Sequence, residues 1–187
     1  MKIVTAIVAL GFAFLQAHAQ NEPPKGFKKG TLVLTDNSVM AGYVKDNVRN
    51  NASVVLINVA GDKKKTYDGS ELASAEIDGI KFLCIKGDFF RIISEGNLDF
   101  LQKESDASRK PSYNGTEAVF MNGTDGSRGD YFIYDIRNKQ LKLVSKKTFD
   151  AVIAETFVNN TAAINKAITA RNDFAQLKDA VELYNSH

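Results

Sequence analysis

Histidine is almost absent from this sequence, and the shortage removes several kinds of active site. The two histidines are His18, in a segment that we expect to be cleaved off, and His187, the last residue. A folded body without imidazole cannot build a Ser-His-Asp or Cys-His nucleophile system. It also lacks the usual ligands of zinc and non-haem iron, which bind imidazoles or several thiolates. We therefore predict no metal ion, no cofactor and no catalytic residue.

Cysteine and tryptophan are equally scarce. The single cysteine, Cys84, cannot form an internal disulfide. It lies in an apolar strand, so we predict that it is buried as a small hydrophobe and is not a cross-linking thiol. The absence of tryptophan removes the commonest platform for stacking carbohydrate, although tyrosine can substitute. No Gly-rich phosphate-binding loop of the Walker or dinucleotide type is present.

Neither sign of charge is in excess. The chain has 24 Lys and Arg against 22 Asp and Glu. This balance gives no general attraction to nucleic acid or to an anionic membrane, so we expect no nucleic-acid partner.

The N-terminus has the pattern of a signal peptide. Lys2 supplies the positive charge, Ile3 to Leu15 is the apolar region, and Ala17 and Ala19 form the small-x-small cleavage motif. We predict a signal peptide over 1–19 and a mature chain that begins at Gln20. The apolar run is too short for a comfortable membrane span, and no later stretch is longer. We expect a soluble protein, exported to the periplasm or secreted.

The most apolar part of the remaining chain is Ile80 to Leu101. It predicts three consecutive strands joined by turns at Lys86-Gly87-Asp88 and Glu95-Gly96-Asn97, where glycine supplies positive φ and Asp88 can bond to its own backbone. Both faces of the first strand are apolar, which indicates that it is covered on both sides. We interpret this dense Phe and Ile cluster as core and not as an apolar ligand site.

The spacing of turn signals along the chain is typical of a β-rich α+β domain. Turn signals recur about every 8 to 12 residues up to residue 96, which is typical of short antiparallel strands. We predict an antiparallel meander, either a small bent barrel or a sandwich, with a C-terminal layer of about three short helices. The first half resembles SH3-like or Sm-like barrels only in the succession of its strands and turns. The predicted division is a flexible lead-in over 20–29 and one domain over 30–187, β-rich over 30–144 and helical over 145–187.

Three helices are predicted from a change of period after residue 145. Phe149, Val152, Ile153 and Phe157 form the first apolar stripe, with Thr148 as its N-cap. Thr161 is the predicted N-cap of a second helix, whose apolar stripe is Ile164, Ala167 and Ile168. Asp173 is the predicted N-cap of a third helix, whose apolar stripe is Phe174, Leu177, Val181 and Tyr184. Each is too short to be stable alone, so we expect the stripes to pack on each other or on the sheet.

Three segments are assigned from local composition. Val48 to Asn51 and Lys103 to Gly115 are polar, and we predict surface loops for both. Gly42 lies inside a predicted strand, where glycine indicates a bulge or a sharp bend.

Two alternatives use groups that the sequence does contain. Two facing carboxylates suffice for glycoside hydrolysis, and the available acids are Glu71, Glu76, Asp78, Asp88, Glu95 and Asp99. Most lie at predicted turns, and no pair is singled out by an apolar setting that would raise its pKa. A small-ligand or glycan-binding module would use stacking surfaces, for which the candidates are Tyr43, Tyr67, Tyr131 and Tyr134.

Short surface motifs have ordinary explanations. Arg128-Gly129-Asp130 matches a cell-adhesion tripeptide, but matches of three residues are common by chance. Asp125 and Asp130 lie among glycines and lack the acid spacing of an EF-hand calcium loop. Asn51, Asn114, Asn122 and Asn159 begin glycosylation sequons, which matter only in a host that uses them, and the Lys- and Asn-rich style indicates a bacterium.

The chain resembles an uncharacterised group of secreted proteins from Gram-negative bacteria, sometimes joined to outer-membrane β-barrels. The resemblance is carried by Gly30-Thr31-Leu32 with Gly42, Gly87-Asp88-Phe89-Phe90, Glu95-Gly96-Asn97-Leu98, Tyr131-Phe132-Ile133-Tyr134 and Tyr184-Asn185. It implies a location in the cell envelope and supplies no activity and no functional residues. Because the sequence ends at His187, we expect no membrane barrel to follow.

These observations favour a non-enzymatic exported protein that acts through contacts with an envelope protein or a glycan. The small-ligand module and the carboxylate hydrolase are the alternatives.

Overall fold

The computed structural model of the protein describes residues 23–58, 63–107, 111–114, 117–120 and 123–186. The predicted cleavage residues Ala17, Ala19 and Gln20 lie outside this range. The described residues form an α+β fold, mostly β, with short helices at the C-terminal end, as the sequence predicts. None of the described helices is both long and apolar enough to cross a bilayer.

Antiparallel strands make up most of the fold. They are β1 (Lys28–Leu34), β2 (Val39–Asn47), β3 (Ser53–Asn58), β4 (Lys64–Asp68), β5 (Leu72–Ile77), β6 (Ile80–Ile85), β7 (Asp88–Ser94), β8 (Leu98–Lys103), β9 (Pro111–Asn114), β10 (Glu117–Phe120), β11 (Tyr131–Asp135) and β12 (Gln140–Val144). Ten of them form one open sheet in the order β12-β11-β8-β7-β6-β5-β1-β2-β3-β4, and β9 pairs only with β10. Two meanders, β1 to β4 and β5 to β8, are thus joined by the pairing of β1 with β5.

The first half of the sheet curls strongly around its own core. Leu32, Val44, Leu56 and Phe82 are among the residues buried inside it. The curl brings Gly69, just after β4, into a bridge with Gly87, just after β6. A single bridge is no continuous ladder, so the predicted small bent barrel is approached but stays open.

Gly42 is required by this curl. It pairs with Gly30 in β1 and Asn58 in β3, and a Cβ atom built on it would lie 2.2 Å from the carbonyl oxygen of Ile57. The register of β2 is continuous there, so Gly42 marks a close backbone approach and not a bulge. The pairing register shifts elsewhere: between Val33 and Leu34 of β1, where it pairs with β5, and between Ile92 and Ser94 of β7, where it pairs with β8.

The stretch from Ile80 to Leu101 forms three consecutive strands, as predicted. β6, β7 and β8 occupy the middle of the sheet, and Phe89, Phe90 and Phe100 are fully buried. Side chains on both faces are covered, because Phe89 belongs to the core of the curled half whereas Phe90 packs with Leu101 and Phe132 on the opposite face.

The helical layer covers the face of the sheet that carries Phe100 and Ile133. It consists of α2 (Phe149–Thr156), α3 (Thr161–Thr169), two 3₁₀ turns (Ala170–Asn172 and Phe174–Gln176) and α4 (Leu177–Asn185), whereas the short α1 (Val48–Asn51) lies between β2 and β3. Alanines at 163, 167 and 180 are fully buried, which lets α3 and α4 approach closely.

The helix caps differ in part from the prediction. The side chain of Thr148 caps nothing and instead donates to the carbonyl oxygen of Leu143, at 2.7 Å. Asn160, and not Thr161, caps α3 by accepting from the backbone N–H of Ala163 at 2.9 Å. Asp173 caps the 3₁₀ turn that precedes α4, by accepting from the N–H of Ala175, and α4 itself has no side-chain cap. Ile168 is half exposed, because alanines form the buried face of its helix.

Two predicted surface loops are wrong in part. The segment 48–51 is helical, with Val48 buried, since the side chain of Asp46 accepts from the N–H of Val48 at its start. In the segment 103–115, Lys103 to Ser105 are buried and β9 occupies 111–114. In addition, β1 begins at Lys28, inside the predicted lead-in, and Phe27 is buried.

The end of α4 is bonded to the turn between β7 and β8. Asn185 accepts from the backbone N–H of Leu98 at 3.0 Å and donates to the carbonyl oxygen of Leu98 at 2.9 Å. The amide thus satisfies both backbone groups of one residue, as a neighbouring strand would. A Cβ atom on Gly96 would lie 2.2 Å from this amide, so only glycine leaves room for the contact.

We predict that Asn185→Ala lowers the free energy of unfolding by about 1–3 kcal/mol, because it leaves the N–H and carbonyl of Leu98 without their partner. Urea unfolding measures the loss. Ser186→Ala is the matched control, since the hydroxyl of Ser186 bonds only within α4, to the carbonyl of Leu183. Equal stabilities for the two variants would contradict the role given to Asn185.

Candidate functional site

The six candidate carboxylates do not face one another in pairs. Asp78 pairs with Lys28, Glu95 with Lys81, and Glu71 accepts from the N–H of Asp68. Glu76 and Asp78 border one cavity of about 480 Å³, but both come from β5 and the turn after it. They therefore lie along one wall and not on opposite walls. The remaining two, Asp88 and Asp99, are buried.

Nor do the four candidate tyrosines form one surface. Tyr67 is buried and its hydroxyl donates to the sulfur of Met40, at 3.1 Å. Tyr43 borders the cavity beside Glu76. Tyr131 and Tyr134, which are three positions apart in β11, line cavities on opposite faces of the sheet.

Asp88 is the centre of a buried polar network that the sequence did not reveal. Its carboxylate accepts from the N–H of Ala107 at 2.6 Å and from the N–H and hydroxyl of Thr124 at 2.8 and 2.7 Å. The predicted bond from Asp88 to its own turn is thus wrong, since these donors lie 19 and 36 positions away. The side chain is fully buried.

Lys103 balances the charge of Asp88. Its ammonium, also fully buried, lies 3.2 Å from the Asp88 carboxylate. It donates to the carbonyl oxygens of Thr124, Gly126 and Asp125 at 2.9, 3.1 and 3.4 Å. The pair therefore holds both the segment that leaves β8 and the segment that returns to β11. Fully bonded groups of this kind have a structural role and no free capacity for catalysis.

Glu104 forms a second ionic cluster beside this pair. Arg49 donates to its carboxylate at 2.9 Å, and the Nε of Arg91 lies 3.4 Å from the other oxygen. The hydrogen bond from Arg49 and the attraction of the charges raise the pKa of that guanidinium. Arg128 in turn donates to the carbonyl oxygen of Arg49, at 3.3 Å.

The Arg128-Gly129-Asp130 tripeptide is bonded to β8 and does not project as a free tip. The N–H of Gly129 donates to the carbonyl of Lys103, and the N–H of Lys103 donates to the carbonyl of Asp130, at 2.8 and 2.9 Å. Within the described part of the chain no three His, Cys, Asp or Glu residues are grouped as metal ligands. Asn122 lies outside the described residues.

Cys84 is half-buried, and burial raises the pKa of its thiol far above the ordinary value. A thiol held in its neutral form is a poor nucleophile. The predicted burial is therefore borne out in part.

One cavity lies between the sheet and the helical layer. It has a volume of about 570 Å³ and is lined by residues that include Lys81, Arg91, Glu95, Tyr131 and Ala175. Its charged groups are already paired, because Lys81 contacts Glu95 at 2.8 Å and Arg91 donates to Gln102. The ring of Tyr131 stacks on Phe100, with 5.3 Å between the centroids.

A second cavity, which we call the β12 groove, opens on the opposite face beside the last strand of the sheet. Its volume is about 260 Å³. Apolar side chains form its floor and walls, and charged residues stand around it: Ile85, Phe132, Tyr134, Leu141 and Leu143, with Lys86, Asp125 and Lys139. Phe132 is buried, whereas Tyr134, Leu141 and Leu143 are half exposed.

The two lysines of the β12 groove are unpaired within the described part of the chain, unlike the cations of the larger cavity. The backbone of both lysines is in the left-handed conformation, with φ of 49° at Lys86 and 52° at Lys139. Asparagine and glycine are favoured at such turn positions. The groove therefore combines an apolar surface with two cations that have no partner among the residues described.

The burial of Asp99 makes stability depend on pH. Burial raises the pKa of its carboxyl, against the opposing effect of the hydrogen bond from the N–H of Gly96. The folded chain therefore binds this proton more tightly than the unfolded chain, whose Asp99 ionises near pH 3.9. The free energy of unfolding that this group contributes is present at low pH and is lost as the pH rises through the raised pKa.

We predict that Asp99→Asn, which keeps an oxygen acceptor for Gly96, stabilises the protein more at pH 7 than at pH 4. Urea unfolding at both values measures the difference from the parent. Asp135→Asn is the control of opposite sign, because bonds from Asn138 lower the pKa of Asp135. An Asp99→Asn effect that is the same at both values would contradict the assignment.

We predict that Lys103→Met lowers the free energy of unfolding by about 3–5 kcal/mol, because it leaves a buried carboxylate without its countercharge. Urea unfolding measures the loss, with the exposed Lys146→Met as the control for removing one lysine. Hydrogen exchange should show the first loss of protection at 104–107 and 123–126. A loss below about 1 kcal/mol, the range of an exposed ion pair, would contradict the role of Lys103.

No protein-family model matches the chain, and no curated protein and no solved structure is significantly similar to it. The resemblance to secreted envelope proteins therefore stays a prediction. Function has to be argued from the geometry of the described residues.

Proposed function

We propose that this chain is an exported, non-enzymatic protein of the bacterial cell envelope and that it acts through contacts with another protein at the β12 groove. The signal-peptide pattern of 1–19 supports export. The shortage of histidine and cysteine, together with the full engagement of Asp88 and Lys103, supports a role without turnover.

The β12 groove is the single observation that carries the binding role. It places half-exposed apolar side chains and two unpaired lysines next to the free edge of the sheet. Apolar surface bordered by charge is typical of interaction sites. The cavity lined by Tyr131 is large enough for a small ligand, but its charged groups already bond to one another. It supports the small-ligand alternative less well.

The test is photo-cross-linking in a Gram-negative host that secretes the full chain. A photoreactive residue replaces Asp125, an exposed residue of the groove, and in the control it replaces the exposed Lys146. We expect a discrete protein adduct from position 125 alone, and we expect Leu141→Glu to abolish it. The chain should be found in the periplasm, with the mass of a mature protein that begins at Gln20.

Three outcomes would overturn the proposal. One is a chain that stays in the cytoplasm with residues 1–19 attached. Another is an equal adduct pattern from positions 125 and 146, or no adduct at all. The third is turnover of a chromogenic glycoside or ester by the purified mature chain.

A further inference from the structure

The outer edge of β12 presents backbone groups beside the groove. β12 is the last strand of the ten-stranded sheet and pairs on one side, with β11. The carbonyl of Leu143 points away from β11, because it accepts from the hydroxyl of Thr148. Backbone groups alternate in direction along a strand, so the N–H and carbonyl of Leu141 also point outward. Because the carbonyl of Leu143 already bonds to Thr148, a further strand would pair through the N–H of Leu143 and the N–H and carbonyl of Leu141.

The opposite edge of the sheet is built differently. β4 carries Lys64 and Lys65, both exposed, and Lys63 precedes it. Lysines on an edge strand discourage pairing with another chain. On β12 the two residues with outward backbone groups are leucines, and the intervening Lys142 is bonded to Glu155 on the other face. The two edges thus differ in their capacity to pair.

The size of the groove indicates what enters it. Its volume of about 260 Å³ is below the range of about 300–1,000 Å³ that holds a drug-sized ligand. It is sufficient for one or two side chains. A peptide that adds to a sheet edge uses main-chain bonds for affinity and places alternate side chains in such depressions.

The charge of the groove selects among peptides. Lys86 and Lys139 both border it, and neither has an acidic partner among the described residues. Lys139 lies in the turn just before β12 and is therefore the cation at the Gln140 end of the strand. A carboxylate on the peptide would therefore be favoured at that end.

We propose that the β12 groove binds an extended peptide with alternating apolar residues and an acidic end, which adds as a strand along β12 with its carboxylates near Lys139. This inference rests on the proposed function of the groove and names the chemistry of the partner.

The test uses a fluorescent peptide of about six residues, a usual strand length, in which valine and threonine alternate before two glutamates. One control peptide ends in two lysines, and another carries N-methyl groups on its strand-pairing amides. Fluorescence anisotropy with the purified mature chain reports binding. We expect binding of the acidic peptide alone, weakened by added salt.

The variants locate the site. We expect Lys139→Gln and Lys86→Gln each to weaken binding about two- to fivefold, as for an exposed ion pair, and Lys146→Gln to have no effect. Leu141→Glu should weaken it more than tenfold, since it adds a negative charge to the groove. If Leu141→Glu fails to fold by circular dichroism, hydrogen exchange of the parent replaces it. The amides of 141 and 143 should then gain protection with the acidic peptide.

The proposal would be overturned if the basic peptide bound as tightly as the acidic peptide. It would also be overturned if the N-methylated peptide bound as tightly as the acidic peptide. So would binding of laurate in the groove with no binding of any peptide. If no peptide binds while position 125 still gives its groove-dependent protein adduct, the peptide inference fails and the proposed function stands. If the adduct is also absent, both fail.

Discussion

Asp88 and Lys103 are two opposite charges that the fold removes completely from water. Removing such charges costs several kcal/mol for each ion, and the cost is offset only when hydrogen bonds satisfy the remaining lone pairs and protons. Here the carboxylate receives hydrogen bonds from Ala107 and Thr124, in two segments of the chain, and the ammonium donates to three consecutive carbonyls. The arrangement of residues 104–107 and 123–126 depends on this pair, because both segments are bonded to it.

The same pair determines what lies at the edge of the β12 groove. Lys103 bonds the carbonyls of 124–126, and Thr124 and Asp125 border the groove. A Cβ atom on Gly126 would lie 3.0 Å from the ring of Phe132, so the loop also packs on the apolar floor. A buried ionic contact in the middle of the sheet thus positions the proposed binding surface near the last strand. Core stability and the proposed recognition share one set of bonds.

Local patterns predicted the elements of this fold well. The strands from Ile80 to Leu101 follow from apolar residues on both faces and from two turns, of which the first has Gly87 at positive φ. The three C-terminal helices follow from a change of period. The order of strands was not predictable, because the pairing of β1 with β5 depends on contacts between distant residues that leave no local trace.

The polar residues were misjudged for the same reason. Lys103 and Glu104 look like the start of a surface loop, since nothing nearby in sequence shows that Asp88 and Arg49 will meet them. The cap of α3 was assigned to Thr161 because two adjacent residues can both cap, and only backbone geometry shows that Asn160 does. The lysines of the groove could not be recognised from sequence, because Lys86 and Lys139 are 53 positions apart. Only the pairing of strands in the sheet brings both to the border of one cavity.

The contact of Asn185 with Leu98 also affects the order of events during synthesis. The central turn between β7 and β8 has no partner for the backbone of Leu98 until residue 185 has left the ribosome. All the strands of the main sheet are translated before that point, but the bond that joins the helical layer to them comes last. The contact between the end of α4 and Leu98 can therefore form only when nearly the whole chain has been made.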